Sequence, residues 1–337
     1  MIRVFLLTYR RPRLLRRALA SLQAQTFTNW VCELHNDDPQ DDFPARLLVE
    51  LGDARITLHQ HEANWGPVKC FNHVFAGGTE PYASLLEDDN WWDPQFLASA
   101  LTTIESQPSA SLVWANMRIW REETNGAWTD TGQTIWAPPN HDIPARNFRW
   151  PEGIQISDAL HSNGAMIFRP RTFHPMTVPD DAPFAIIESL RERAAQGELF
   201  LLTKPLAHFS QTIATSRGHH RGHWRQWQIL LCASYLEAVT LDANSLDRIW
   251  AQHRSLRPRD TNLLFLTAIS LRRPQLLTPA QLTDYLFFLL NFVRHLRTNL
   301  TALRFRRDQA DLWAWFNKYT QPGTVRTTPL VLNKREF

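Results

Sequence analysis

The feature that most constrains this chain is a unit repeated through its first 90 residues: a short apolar run that stops at polar or acidic residues and gives way to a helical pattern. Arg3 to Thr8 is mostly apolar and meets Tyr9-Arg10-Arg11-Pro12, after which Leu14, Leu15, Ala18, Leu19 and Leu22 recur at helical spacing. Trp30 to His35 reads as a second strand closed by the acidic turn Asn36-Asp37-Asp38-Pro39. A helix around Pro44 to Leu51, a strand at Arg55 to His59 and a helix at Lys69 to Ala76 follow. Tyr82 to Leu86 is then a buried strand that ends in Glu87-Asp88-Asp89-Asn90. Strands alternating with helices predict an α/β domain with a largely parallel sheet, and such sheets bind ligands at the carboxyl ends of their strands. Both acidic turns fall at that edge.

A chain of 337 residues is one large domain or two moderate ones, and 44% hydrophobic with 20% charged residues excludes disorder and coiled-coil rods as the dominant state. The longest nearly uninterrupted apolar run, Tyr285 to Val293, is short of the ~20 residues a spanning helix needs, and the first residues do not show a long apolar stretch followed by a small-residue cleavage site. The expectation is a cytoplasmic protein, with a peripheral place at the inner face of the membrane as its variant. Three widely spaced cysteines fit neither a disulfide framework nor a zinc ribbon.

The net charge of +3 hides an asymmetry: residues 1–215 hold 18 basic and 25 acidic side chains, and 216–337 hold 18 and 8. The pattern changes at the same place. Residues 110–180 are rich in Trp, Pro and Asn, with β-like runs at Ser111 to Trp120 and Gly164 to Phe168, whereas helical signals dominate from Gly222 onward. The expected division is an α/β domain over 1–215 and a helical extension over 216–337. Thr278, Pro279 and Gln281 read as the start of one helix reaching about Arg307. Leu282, Leu286, Leu289, Val293, Leu296, Leu300 and Leu303 give it one apolar seam. Packing within the helical region is the first use for that seam. A homodimer contact and, given Arg294, Arg297, Arg304, Arg306 and Arg307, a contact with an anionic membrane are the others.

Glu87-Asp88-Asp89 sets three carboxylates after a buried strand, where water or a cation must relieve their repulsion. Hard oxygen ligands suit Mg2+ or Mn2+, which also take oxygens from substrate phosphates, although a solvated turn would carry the same residues.

Several motifs in order resemble the family-2 inverting glycosyltransferases of GT-A fold, over roughly residues 2–210. They are Leu6 to Arg11 with the helix after it, Asn36-Asp37-Asp38-Pro39, Asn64-Trp65-Gly66 with Asn72 and Ala76-Gly77-Gly78, and Leu86 to Pro94. Asn163 to Arg169, Arg193 to Gly197 and Pro205-Leu206 complete the series. The resemblance implies a nucleotide-sugar donor, most often a uridine diphosphate sugar, held by Thr8, Tyr9, Arg10, Asp37, Asp38 and Asn64. Glu87 and Asp88 would lie near the ribose and the metal's waters, with Asp89 as the main ligand of Mn2+ or Mg2+. Lys69 is either a further cation on the phosphates or a plain surface lysine. Trp91, Trp92, Asn163 and Gly164 would line the acceptor site, where indole faces suit stacking on a sugar.

Inverting transfer needs a general base for the acceptor hydroxyl. The family supplies it from an acidic pair about eleven residues before the glycine matched by Gly197, and Ala185 and Ile186 occupy that register here. Glu188 is the nearest carboxylate and Asp181 the second candidate. Relatives place a metal-site His where Thr212 stands, so His208 or His219 would substitute. His219 and His223 have zinc-pair spacing, but Gly218 and Gly222 argue for a loop and no Glu lies between them.

The function expected is therefore metal-dependent transfer of one sugar to a hydroxyl of a glycan, lipid-linked saccharide or small acceptor, with inversion, as in assembly of a cell-surface polysaccharide. The missing acidic pair keeps a non-catalytic nucleotide-sugar or carbohydrate-binding module as the alternative. A nucleotidyltransferase is disfavoured because Thr8 to Pro12 lacks a glycine-rich phosphate loop, and nucleic-acid binding because no motif organises the basic residues.

Overall fold

The structure, a computed structural model, describes residues 1–136, 144–148, 153–170, 178, 180, 182–194, 197–213, 221–238, 242–255 and 261–314. The chain forms two compact units: residues 1–149, 161–177 and 194–215 in one, and 150–160, 178–193 and 216–337 in the other. The second unit thus takes two segments from within the first 215 residues.

The first unit is built on four parallel strands, β1 (Ile2–Thr8), β2 (Trp30–Asn36), β3 (Ile56–Gln60) and β4 (Tyr82–Glu87), in the order β3-β2-β1-β4. Three connecting helices, α1 (Pro12–Gln23), α2 (Phe43–Leu51) and α3 (Gly66–Ala76), supply the crossovers that parallel pairing demands. Pro12 starts α1 at a position that needs no N–H, and Gly52 ends α2 in the left-handed region, its N–H donating to Leu48 O at 3.0 Å.

Beyond β4 the sheet becomes mixed. The two-residue β5 (Trp91–Trp92) and the helix α4 (Phe96–Ser106) lead into the long β6 (Ala110–Glu122). β7 (Trp128–Thr134) turns back on β6, and β8 (Ala145–Phe148) lies antiparallel to β10 (Glu198–Gln211). β9 (Met166–Phe168) runs antiparallel between β4 and β6, while β10 pairs parallel to β6 and antiparallel to β5. In one core of this unit Val4, Leu6, Leu34 and Leu86 from the sheet meet Leu15, Leu19, Leu22, Phe96 and Leu97 from the helices.

In the second unit α5 (Ile187–Ala194) precedes α6 (Arg221–Ala238), α7 (Ala243–Ser255), α8 (Thr261–Leu271), α9 (Leu282–Arg294) and α10 (Leu296–Asp308). Its core joins Ile229, Cys232, Trp250, Leu263, Phe265 and Ala302. The single helix expected from Thr278 to about Arg307 is two helices, broken at His295 (φ −119°, ψ 39°). Thr278 follows a short turn over Pro274–Leu277, and the capping box is Gln281 with Asp284.

The expected packing of the seam fails for a physical reason. Buried Asp284 accepts from Arg254 at 2.9 and 3.0 Å and from Gln281 N at 2.8 Å, which sets the rotation of α9. Phe288 then stacks on Phe265, with ring centroids 4.6 Å apart. The leucine side consequently faces solvent, with Leu286 55%, Leu289 58% and Val293 74% exposed.

Gly197 immediately precedes β10 at φ 119°, and a Cβ there would stand 2.7 Å from the backbone oxygen of Ser109. That oxygen also accepts from Glu198 N at 2.9 Å, so it cannot retreat without loss of pairing. Gly197→Ala is expected to destabilise the protein by roughly 1–3 kcal/mol, seen as an earlier urea midpoint by tryptophan fluorescence; an unchanged midpoint would show that the strand start yields freely.

Candidate active site

Parallel pairing brings the ends of β1, β2 and β4 to one edge, where Leu7 is the register partner of Glu87 and Thr8 that of Asn36. Asp88 follows β4 directly and is almost wholly buried. Its Oδ2 accepts from Thr8 Oγ1 at 2.8 Å and from Tyr9 N at 3.3 Å, and its Oδ1 from the Arg11 guanidinium at 3.1 Å. The same guanidinium nitrogen donates to Asp89 Oδ2 at 2.9 Å. One arginine therefore bridges the two adjacent carboxylates.

Burial pushes the Asp88 carboxyl up to about 6, a rise opposed by Arg11 and reinforced by Asp89. The backbone of Asp89 is fixed as well, since its carbonyl accepts from Arg17 at 2.8 Å and from Ser210 Oγ. Burial lowers Arg17 to about 10.

Glu87 and Asn90 close the turn: Asn90 Nδ2 donates to Glu87 Oε2 at 3.0 Å, and Asn90 Oδ1 accepts from Ser210 N at 3.2 Å. Gly164 packs on both, and a Cβ there would lie 2.6 Å from Asn90 Nδ2 and 2.9 Å from Glu87 Oε2. Asn163, Gly164, Glu87 and the acidic turn are thus brought together.

At the end of β2 the two aspartates part company. Asp38 pairs with Arg10 at 2.5 Å, and that contact holds its carboxyl below the usual range. Arg10 adopts a left-handed backbone (φ 56°), which is uncommon for a residue with a side chain. Asp37 caps a helix: its carboxylate accepts from Trp65 N at 2.7 Å and Gly66 N at 2.9 Å, the first turn of α3, where a negative charge is favoured. Asn64 Nδ2 donates to the Asp37 carbonyl at 3.0 Å. The expectation that Asp37 faces a nucleotide meets a carboxylate already committed to α3. Lys69 lies on α3 with its ammonium 4.6 Å from the centre of the Trp65 ring.

Trp92 is a core residue whose Nε1 donates to Gly164 O at 2.7 Å, so it presents no ring face to a sugar. Trp91 is half-buried, stacked on His208 at 4.8 Å with Arg17 at 3.8 Å from its ring centre. His208 Nδ1 accepts from Trp120 Nε1 at 3.0 Å, and burial pushes the ring down to about 4. Among the described residues, the His, Cys, Asp and Glu trios with converging ligand atoms are Glu33–His35–His73 and Asp37–His61–Cys70. Among the described residues His208 joins Asp89 in no such trio. Glu188 is half-buried in the first turn of α5, in the second unit. Asp181 and His219 lie outside the described residues.

Arg11, Arg17, Asn90 and Ser210 received no role from the sequence. Arg11 was legible only as a basic residue before a helix-starting proline, and Arg17 as one polar position of an amphipathic helix. What makes them site residues is the meeting of the turn after β4 with the loop after β1 and with β10, which no local pattern encodes.

The family model described as "Glycosyl transferase family 2" matches residues 4–160. The chain is 27% identical over 107 residues to the uncharacterized protein y4gI of Sinorhizobium fredii (strain NBRC 101917 / NGR234). That match covers 31% of this chain and 12% of the length of y4gI. Among solved structures it is similar to S. aureus TarS 1–349 in complex with UDP-GlcNAc, with a TM-score of 0.61, 14% identity and 92% of each chain covered. The same TarS portion with UDP gives a TM-score of 0.60 at 14% identity, over 91% of this chain and 92% of that one. The mixed α/β architecture, a mostly parallel sheet flanked by helices and followed by further helices, is therefore of the GT-A type.

A carboxyl pushed up to about 6 binds its proton more tightly folded than unfolded, where Asp sits near ~3.9. Its contribution is fully present below about pH 4 and is lost as pH rises through about 6, a change on the order of 3 kcal/mol. In metal-free buffer, Asp88→Asn should gain stability relative to the parent between these limits. Denaturation midpoints of both proteins across pH 4–7 test this; a difference that does not vary with pH would refute the assignment.

Proposed function

We propose that this chain transfers a sugar from a nucleoside diphosphate donor, a uridine diphosphate sugar foremost, to a hydroxyl of a glycan, lipid-linked saccharide or small acceptor, with inversion and with a divalent ion. The observation that carries this reading is the Asp88–Arg11–Asp89 bridge at the ends of β1 and β4, the edge where such sheets bind ligands. The TarS structures, in complex with UDP-GlcNAc and with UDP, support the donor class.

In this reading Thr8, Tyr9, Arg10 and Asp38 bound the nucleoside, with Glu87 and Asp88 near the ribose. Asp89 would hold Mn2+ or Mg2+, and the donor set fits: its carboxylate is a hard oxygen ligand that already takes a cation, Arg11. Such an ion supplies positive charge to a departing diphosphate without proton transfer. Arg11 lies at both carboxylates and is suited to neutralise donor phosphates. Glu188 is the first candidate for the general base and Asp181 the second. A second reading, binding without turnover, is favoured by one observation: Ile186, at the register of the family's acidic pair, is fully buried.

A thermal-shift series with UDP, GDP and UDP-GlcNAc, with and without Mn2+, is the test, followed by assay of UDP release with candidate acceptors. The expected result is a Mn2+-dependent rise with uridine nucleotides that Asp89→Ala abolishes. Glu188→Gln should then slow release by at least about 100-fold while donor affinity holds. A shift without release would favour the binding module, and no shift with any nucleotide would sink the donor site.

The exposed leucine side of α9 and α10 bears on location. Among the described residues no helix is long and apolar enough to cross a membrane. Leu286, Leu289, Val293 and Leu296 are exposed beside exposed Arg294, Arg297, Arg304 and Arg307, a combination that suits an anionic lipid surface. Flotation with anionic vesicles, weakened by salt and by Leu289→Glu, is expected. A salt-insensitive dimer in sedimentation without flotation would assign the face to a second copy instead.

A further inference from the structure

A second cluster of titratable side chains stands on the same sheet and has no part in the donor site. Glu33 and His35 are two residues apart on β2, so they share one face. His59 on β3 is the register partner of His35, and their rings stack with centroids 4.8 Å apart. His73 comes from α3, its ring also 4.8 Å from that of His35. The Nε2 atoms of His35, His73 and His59 lie 3.3, 3.6 and 4.0 Å from one atom, Glu33 Oε2.

The hydrogen bonds behind His35 determine which of its nitrogens carries the proton. The Asp37 carboxylate already accepts from two backbone N–H groups, and its Oδ1 lies 2.9 Å from His61 Nδ1, so that nitrogen donates. With its proton there, His61 accepts at Nε2, 3.0 Å from His35 Nδ1, and His35 donates. The lone pair left on His35 Nε2 then points at a carboxylate oxygen 3.3 Å away. Two acceptors held together in a buried setting repel unless a cation lies between them.

We propose that Glu33, His35, His59 and His73 form a binding site for one zinc-class divalent ion, held by three imidazole Nε2 atoms and one carboxylate oxygen. A tetrahedral ion with bonds of ~2.0–2.1 Å holds its donor atoms about 3.3 Å apart. His35 already meets that spacing to Glu33 and the half-exposed His73 is close to it, the ligand atoms of these three lying within 4.8 Å of one another, whereas half-exposed His59, stacked on His35 and 4.0 Å from Glu33 Oε2, would have to turn its ring to complete the set. Imidazole with carboxylate suits Zn2+, whereas the all-oxygen turn at Asp89 suits Mg2+ or Mn2+. The outer partners fit as well. The His35–His61–Asp37 relay fixes the tautomer, and Arg3, itself paired with Glu80, binds the other Glu33 oxygen and leaves Oε2 for the ion. The ion would tie β2, β3 and α3 together, and through Asp37 it would brace the start of α3.

Full-length, metal-free protein titrated with Co2+ and then Zn2+ tests this. One equivalent of Co2+ should bind with the intense visible absorption of a tetrahedral site, and Zn2+ should displace it. Asp89→Ala should keep that spectrum, whereas His73→Gln and His59→Gln should each weaken binding by at least about tenfold and His61→Phe by ~10–100-fold. Zn2+ should also shield His59 and His73 of the unaltered protein from diethyl pyrocarbonate, a readout that requires no variant to fold. Pale octahedral absorption alone, a spectrum lost with Asp89→Ala but kept in His73→Gln, or unshielded histidines would overturn the proposal.

Discussion

The candidate donor site depends on how two adjacent carboxylates are accommodated at the end of a buried strand. Asp88 is enclosed, so its charge is costly unless it is paired and hydrogen-bonded. Thr8 and Tyr9 from β1 and Arg11 from the start of α1 meet that need, and Arg11 reaches on to Asp89. The arrangement exists because β1 and β4 are parallel neighbours whose carboxyl ends emerge together. The turn after each strand then supplies the partner for the other, and hydrogen bonds from β10 hold the second turn in place.

The end of β2 follows a different logic. Asp37 and Asp38 read alike, yet one binds the first turn of α3 and the other an arginine from the β1 loop. The helix-capping role of Asp37 leads into the histidine relay, because its carboxylate orders His61 and His61 orders His35. The cap of α3 and the imidazole cluster are thereby one hydrogen-bonded system, next to but chemically distinct from the acidic turn after β4. Oxygen ligands gather at one, and nitrogen ligands with a single carboxylate at the other.

Much of the fold was legible in the sequence where local pattern and burial agree. The apolar runs at Arg3 to Thr8, Trp30 to His35 and Tyr82 to Leu86 became β1, β2 and β4, and the helical spacing after Pro12 became α1. Less legible were elements whose identity rests on distant partners. Trp91 and Trp92 form a strand only because β10 lies beside them. The seam of α9 and α10 misled because heptad spacing records which residues share a face and says nothing of the direction that face takes. Asp284 and Phe288 set that direction through Arg254 and Phe265.

The sequence by itself determined the alternation of strand and helix, and with it a parallel sheet whose acidic turns share one edge. Periodicity and turn chemistry are properties of neighbouring residues, so they survive without coordinates. Tertiary structure alone decided which partner each charged group found. Arg11 meets Asp88 across 77 residues, Arg17 meets Ser210 across 193, and His35, His59 and His73 converge on Glu33 from three elements. Such pairings arise from strand order and helix placement, and a carboxylate or an imidazole carries no local signature of the group it will face.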